Sequence, residues 1–225
     1  MKKNYEWVLF DADETLFRFD AFQGLQIMFS KWDVTFSEQD FQAYQIVNVA
    51  LWSEYQKGTI SAQHLQQQRF DTWAKTLQIP HQTLHLAFID AMADICAPLE
   101  GATSLLNTLK GKSKLGIITN GFTQLQQTRL QRTGLDNHFD LLVISEQVGV
   151  AKPHRDIFEH AFNIMGKPSR ENVLMVGDNP IADVQGGLGA GFDTCWFNPN
   201  KTVAPAGVKP HFEVASLSEL ELLLV

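Results

Sequence analysis

Short apolar runs recur along the chain with longer amphipathic stretches between them. Trp7-Val8-Leu9-Phe10, Leu115-Gly116-Ile117-Ile118, Leu141-Leu142-Val143-Ile144 and Val173-Leu174-Met175-Val176 are continuous rather than alternating. Strands of a parallel sheet read this way because helices cover both of their faces. Thr194-Cys195-Trp196-Phe197 is a fifth such run, and helices are predicted at about 101–111, 122–133, 154–165 and 180–190. Strand and helix alternate, so the pattern predicts an α/β fold built on a doubly wound parallel sheet.

Residues 17–97 break that rhythm. The stretches 41–56 and 62–76 are rich in Gln, Ala, Leu and aromatic residues, and no strand is evident. Phe41, Tyr44, Val47, Leu51 and Tyr55 recur at helical steps. Ser37 and Ser61 stand where helix N-caps belong. The expected organisation is a catalytic core of residues 1–16 and 98–225, with a helical cap domain, 17–97, inserted after the first strand.

Composition narrows the class. The chain has 225 residues, 44% apolar and 19% charged, as in soluble globular proteins. No apolar run approaches the roughly 20 residues of a membrane helix. The start, Met1-Lys2-Lys3, is followed by an apolar stretch broken by Asp11, Asp13 and Glu14, unlike a secretory signal. Cys96 and Cys195 lack any paired spacing and read as reduced thiols of a cytoplasmic protein. With a net charge of −7 and no basic cluster, a nucleic-acid surface is excluded and no membrane partner is expected. An acidic chain that handles an anionic phosphate needs local positive charge.

In an open parallel sheet, ligands bind beyond the carboxyl ends of the strands. Those ends carry Asp11-Ala12-Asp13-Glu14-Thr15, Thr119-Asn120-Gly121 and Gly177-Asp178-Asn179-Pro180, with Asp183 nearby and Lys152-Pro153 following the third strand. Each piece alone is an ordinary turn or cap. Their placement at successive strand ends is not. Asp11 and Asp13, two apart at a strand end, point the same way and repel unless a cation or proton relieves them. Asp178 from the adjacent strand completes an all-oxygen site suited to Mg2+.

These motifs resemble, as an ordered set, the four signatures of the haloacid dehalogenase superfamily phosphatases. The resemblance implies that Asp11 is the nucleophile and that Asp13 is general acid and then base, its main-chain carbonyl also binding the metal. It implies that Thr119 and Asn120 hold the phosphoryl group, and that Lys152 neutralises nucleophile and phosphate. Asp178 would ligate Mg2+, for which Mn2+ can substitute, and Asp183 would support that shell. Asp13 sets the chain apart from dehalogenases, whose leaving halide needs no proton. Two departures are Glu14, where many members have Gly, and Asn179-Pro180, where Thr or Ser is common.

Over nearly the whole chain the sequence is similar to the bacterial pyrimidine 5′-nucleotidases of this superfamily. That similarity implies hydrolysis of UMP, dUMP, dTMP and modified pyrimidine nucleotides through an aspartyl-phosphate. The expected base pocket is walled by Phe17, Phe19 and Phe22, just past the catalytic loop, with Trp52, Tyr55, Trp73 and Asn48 nearby. The seven histidines form no metal-ligand spacing. A sugar-phosphate phosphatase or phosphomutase with the same core is the alternative, and a non-catalytic nucleotide-binding module a more distant one. A monomer or weak homo-oligomer is expected.

Overall fold

The computed structural model describes residues 3–225, so Met1 and Lys2 of the basic start lie outside it. Six strands among the described residues form one parallel sheet: β1 (Trp7–Phe10), β2 (Lys114–Thr119), β3 (Leu141–Ile144), β4 (Val173–Gly177), β5 (Asp193–Phe197) and β6 (Phe212–Val214). Their order is β3-β2-β1-β4-β5-β6, and every pairing is parallel. The order reverses between β1 and β4, which places a topological switch point outside the carboxyl ends of those two strands.

The unbroken apolar runs are explained by burial on two sides. Val8 and Phe10 pack with Leu174 and Val176 against Leu105 and Leu109 of α6 (Ala102–Leu109) and Leu217 of α11 (Leu217–Leu224). Trp7 and Leu9 face the opposite way, with Met175, against Ile157, Phe158 and Phe162 of α9 (Arg155–Ile164). The remaining core helices are α7 (Thr123–Thr133) and the single turns α8 (Ser145–Val148) and α10 (Gly186–Gly189).

Between β1 and α6 come five helices among the described residues: α1 (Ala21–Ser30), α2 (Glu38–Gln56), α3 (Ala62–Gln68), α4 (Asp71–Leu77) and α5 (His81–Asp94). Ser37 caps α2 in a reciprocal box with Asp40, and Ser61 caps α3 by accepting from His64 N–H at 3.1 Å. These helices bury a cluster of their own around Phe29, Phe70, Phe88 and Met92, which also takes in Phe122 and Leu125 of the sheet's helical layer. Where the chain leaves and re-enters the sheet, two extended segments are tied together. Arg18 N–H donates to Ala97 O at 3.0 Å, and Leu99 N–H donates to Leu16 O at 2.8 Å.

Three expectations need correction. Val47 is 43% exposed; the inward stripe of α2 runs through Phe41, Tyr44, Asn48, Leu51, Trp52 and Tyr55 instead. The helix expected at 180–190 is a π-helical turn, Pro180–Gln185, followed by α10. The edge strand β6 and the terminal α11 complete a sheet that the apolar runs had left one strand short. Among the described residues no helix is long and apolar enough to cross a membrane.

Candidate active site

Four strand ends and the loops behind them deliver the polar residues to one cleft. Asp11 follows β1 directly, its N–H still bonded to Val176 O of β4 at 2.8 Å. Asp178 follows β4, and Thr15 ties the two loops together. The Thr15 hydroxyl donates to Asp178 Oδ1 at 3.3 Å and accepts the Asp178 N–H at 3.0 Å. Trp196 of β5 donates its Nε1–H to Asp178 O at 2.8 Å, fixing the loop from the other side.

Lys152 comes from the loop between α8 and α9 and is 1% exposed. Its ammonium donates to Asp11 Oδ1, Asp183 Oδ1 and the Ile118 carbonyl, each at 2.6 Å, which uses all three protons. Asn120 clamps the lysine's backbone, donating Nδ2–H to Lys152 O at 2.9 Å and accepting Lys152 N–H at 2.8 Å. The Asn120 side chain, expected at the phosphate, thus also positions Lys152, through one amide hydrogen and its oxygen. Thr119 is buried at the end of β2, its Oγ1 accepting Gly121 N–H at 3.0 Å.

One carboxylate oxygen from each of Asp11, Asp178 and Asp183 lies within 4.8 Å of the others. Asp183 reaches them because residue 177 is glycine; a Cβ there would overlap the Asp183 carboxylate. Three carboxylates against one ammonium leave an excess of negative charge in a buried cluster. Burial above all, with Asp183, Asp13 and Asp178 adding to it and Lys152 opposing, pushes Asp11 up to about 8. Burial and then Asp183 push Asp178 up to about 7. Burial would lower Lys152, but Asp11 and Asp183 outweigh it and hold the ammonium above its ordinary range. An all-oxygen donor set with surplus negative charge fits a hard divalent cation.

Asp13 stands apart from that cluster. The two like charges at the strand end are separated, since the Asp13 carboxylate turns to Arg129 of α7, whose Nη1 lies 2.5 Å from Oδ1. Arg129 is 1% exposed, donates also to Gln126, and lies over the ring of Phe17 at 4.6 Å. Nothing in the Gln-rich sequence of α7 marks this arginine; its role comes from the packing. Both departures from the motif pattern have local reasons. Glu14 adopts φ +56°, the left-handed region that favours glycine, and its carboxylate accepts the Phe19 N–H. Asn179 caps the helical turn after Pro180 by accepting the N–H groups of Ile181 and Ala182 at 3.0 and 2.9 Å.

A cavity of about 130 Å³ adjoins the carboxylate cleft, and Asp13, Trp52 and Gly121 line both. Of the aromatic residues expected to wall a base pocket, Phe19 lines it. Phe17 is instead buried in the sheet core beneath Arg129, because its extended backbone is bridged to Asp13 and Pro98. Phe22 packs on Phe36 and Phe41, at centroid distances of 6.3 and 5.1 Å, inside the helical layer. Tyr44, Asn48, Trp52, Arg69 and Phe122 are among its other walls; of these, Tyr44, Arg69 and Phe122 were not expected at the pocket.

The raised carboxyls have a measurable consequence. A group whose folded pKa exceeds its unfolded value stabilises the fold below the unfolded pKa and loses that contribution as pH rises through the folded one. For Asp11 and Asp178 the window runs from about 4 up through about 7 and about 8. The melting temperature of the metal-free chain is expected to fall from about pH 5 to about pH 9, and added Mg2+ to offset the fall. A curve that is flat over this range, or equally steep with Mg2+, would contradict the excess-charge account.

Residues 5–191 match the haloacid dehalogenase-like hydrolase family. The chain is 55% identical to the pyrimidine 5′-nucleotidase YjjG of Escherichia coli, over 98% of each chain. It is 33% identical to the pyrimidine 5′-nucleotidase PynA of Streptococcus pneumoniae, over 96% of this chain and 93% of that one. The magnesium-bound crystal structure of the HAD-hydrolase YfnB of Bacillus subtilis superposes with a TM-score of 0.87, at 28% identity and 99% coverage of both chains. The family match spans β1 to β4, the carboxylate cleft and helices α1 to α6, and on that extent the chain belongs to the haloacid dehalogenase-like hydrolases.

Proposed function

We propose that this hydrolase is a magnesium-dependent 5′-nucleotidase that cleaves pyrimidine nucleoside monophosphates, among them UMP, dUMP and dTMP, to nucleoside and phosphate. The observation that carries the reading is a lysine-bridged carboxylate cluster opening, past Asp13, onto a cavity the size of one ring. Relatives that act as pyrimidine 5′-nucleotidases support it.

Asp11 is the nucleophile. A carboxylate oxygen attacks phosphorus, the bond to the nucleoside O5′ breaks, and Asp13 supplies the proton that O5′ takes up. Asp13 then accepts a proton from the water that attacks the phospho-Asp11, releasing phosphate and restoring the carboxylate. Thr119 and the main chain of Asn120 hold the phosphoryl oxygens, and Lys152, bonded to Asp11, neutralises the charge gathered there. Asp11, Asp178 and the main-chain carbonyl of Asp13 would hold Mg2+, or Mn2+ in its place. Asp183 supports them indirectly, since its two oxygens are engaged by Lys152 and by Asn179 N–H. The bound cation would screen the approach of carboxylate to phosphate and neutralise charge on the phosphoryl group.

Residues 17–97 act as a cap over a core of 1–16 and 98–225. Support comes from the two tied segments at the junction and from contacts such as Tyr55 OH to Ser145 Oγ at 2.8 Å and Gln66 Nε2 to Glu146 Oε1 at 2.6 Å. Caps of this kind exclude water and select substrate. The setting is the cytoplasm, where the free thiols Cys96 and Cys195 stay reduced, and the chain acts as a monomer or weak homo-oligomer.

Steady-state hydrolysis of a panel of monophosphates tests the reading. Pyrimidine nucleotides are expected to exceed purine nucleotides and sugar phosphates in kcat/KM by about 10-fold or more, and chelation to abolish turnover. Faster release from a sugar phosphate than from UMP would overturn the substrate assignment.

A further inference from the structure

Arg69, just past the end of α3, is 6% exposed and makes no ion pair with a carboxylate among the described residues. Its guanidinium is packed among the rings of Phe70, Phe88 and Phe122, at 4.9, 4.9 and 5.1 Å from their centroids. One Nη donates to His85 Nδ1 at 2.8 Å, and the buried Nε–H has no hydrogen-bond partner. Burial, then Arg69 itself, pushes His85 down to about 4, so the imidazole is neutral and can accept from the guanidinium. Burying a cation without a carboxylate is costly, and aromatic faces recover only part of the loss.

Arg69 itself lines the cavity beside the cleft, its guanidinium bonded to His85 and set against the Tyr44 hydroxyl. A second donor stands there already oriented. The Tyr44 hydroxyl, placed against Arg69, donates to Asn48 Oδ1 at 3.3 Å, which leaves the Asn48 amide hydrogens with only Gln45 Oε1, at 3.5 Å. The Arg69 guanidinium and the Asn48 amide are thus both donors. Phe19, Trp52 and Phe122 supply the flat apolar walls. An apolar cavity of about 150 Å³ accepts one benzene ring. At about 130 Å³ this one suits a single ring rather than a fused pair.

We propose that Arg69 is the residue that reads the base, donating to a ring carbonyl of a pyrimidine lodged in this cavity, with Tyr44-held Asn48 as the second donor. The assignment rests on the nucleotidase reading above. Uracil and thymine present carbonyl oxygens to such an edge. Cytosine replaces one of them with an amine, which sets donor against donor.

The test compares wild type, Arg69→Met and Arg69→Lys on UMP, CMP and ribose 5-phosphate, and titrates uridine against tryptophan fluorescence from Trp52 in the wall. Arg69→Met should lose about 10- to 100-fold in kcat/KM on UMP, the scale of one charged hydrogen bond. Its UMP-to-CMP ratio should fall toward unity while ribose 5-phosphate turnover stays near wild type. Uridine quenching should weaken in the same variant, and Arg69→Lys, which keeps the charge but not the fork, should fall between. A purely structural Arg69 would lower all three substrates together and lower the melting temperature, and that result overturns the proposal. So does an Arg69→Met enzyme that keeps its preference for UMP. A wild-type enzyme indifferent to the base would instead sink the nucleotidase reading and the role of Arg69 with it.

Discussion

Lys152→Met is expected to unfold at markedly lower denaturant than wild type at about pH 8 without metal, by about 3–5 kcal/mol. Among the described residues the ammonium is the one cation bonded to Asp11 and Asp183, and both bonds are buried. Removing it leaves three carboxylates within 4.8 Å with no counter-charge. Methionine keeps the length of the stem, and the Asn120 clamp on the backbone of residue 152 needs no side chain, so the loop itself should hold. The deficit should shrink at about pH 5, where the clustered carboxyls take up protons, and shrink again with Mg2+. Turnover should fall by at least about 10³-fold, since the lysine both holds the nucleophile and screens its approach to an anion. An unfolding midpoint at pH 8 equal to that of wild type would mean that the cluster is not under the electrostatic load described.

Five of the six strands could be read from the sequence because a strand covered on both faces has to be apolar throughout. β6 could not, since only Val214 of its three residues is buried and an edge strand needs no continuous run. The site's carboxylates, threonine and lysine were legible for a related reason: a polar residue at the end of an apolar run has few places to point. The two buried arginines were not. Arg69 and Arg129 lie in Gln-rich helical segments, where an arginine reads as a solvated face, and only tertiary packing turns them inward. The same limit misplaced Val47. α2 carries apolar residues on two faces, with Ile46 and Val49 outward at 76% and 63% exposure, and helical spacing alone does not say which face is covered. Asn120 was expected at the phosphate by position, and its side chain proves also to hold the backbone of Lys152. Position at a strand end locates a site, but hydrogen-bond accounting decides which of its groups are free to do chemistry.

Asp11→Asn is expected to move activity and stability in opposite directions. Loss of the proposed nucleophile should cut turnover by about 10⁴-fold or more, and a chain quenched during turnover should no longer carry phosphate on residue 11. Metal-free, the variant should nevertheless melt higher than wild type above about pH 8. Burial and the neighbouring carboxylates push Asp11 up to about 8 against the pull of Lys152, so ionising it in the empty cluster costs stability that a neutral amide does not. Asparagine preserves an acceptor for Lys152, and Asp183 remains its charged partner. The gap should be small near pH 6, where wild-type Asp11 holds its proton, and should widen as pH rises through about 8. Mg2+ should narrow it by compensating the charge that the amide removes. A variant that melts lower than wild type at high pH would show that the bond to Lys152 outweighs burial. A variant with near-wild-type turnover would move the nucleophile to another residue. The proposed chemistry needs an ionised carboxylate in a place where the fold favours a protonated one, and a bound cation would let the two coexist.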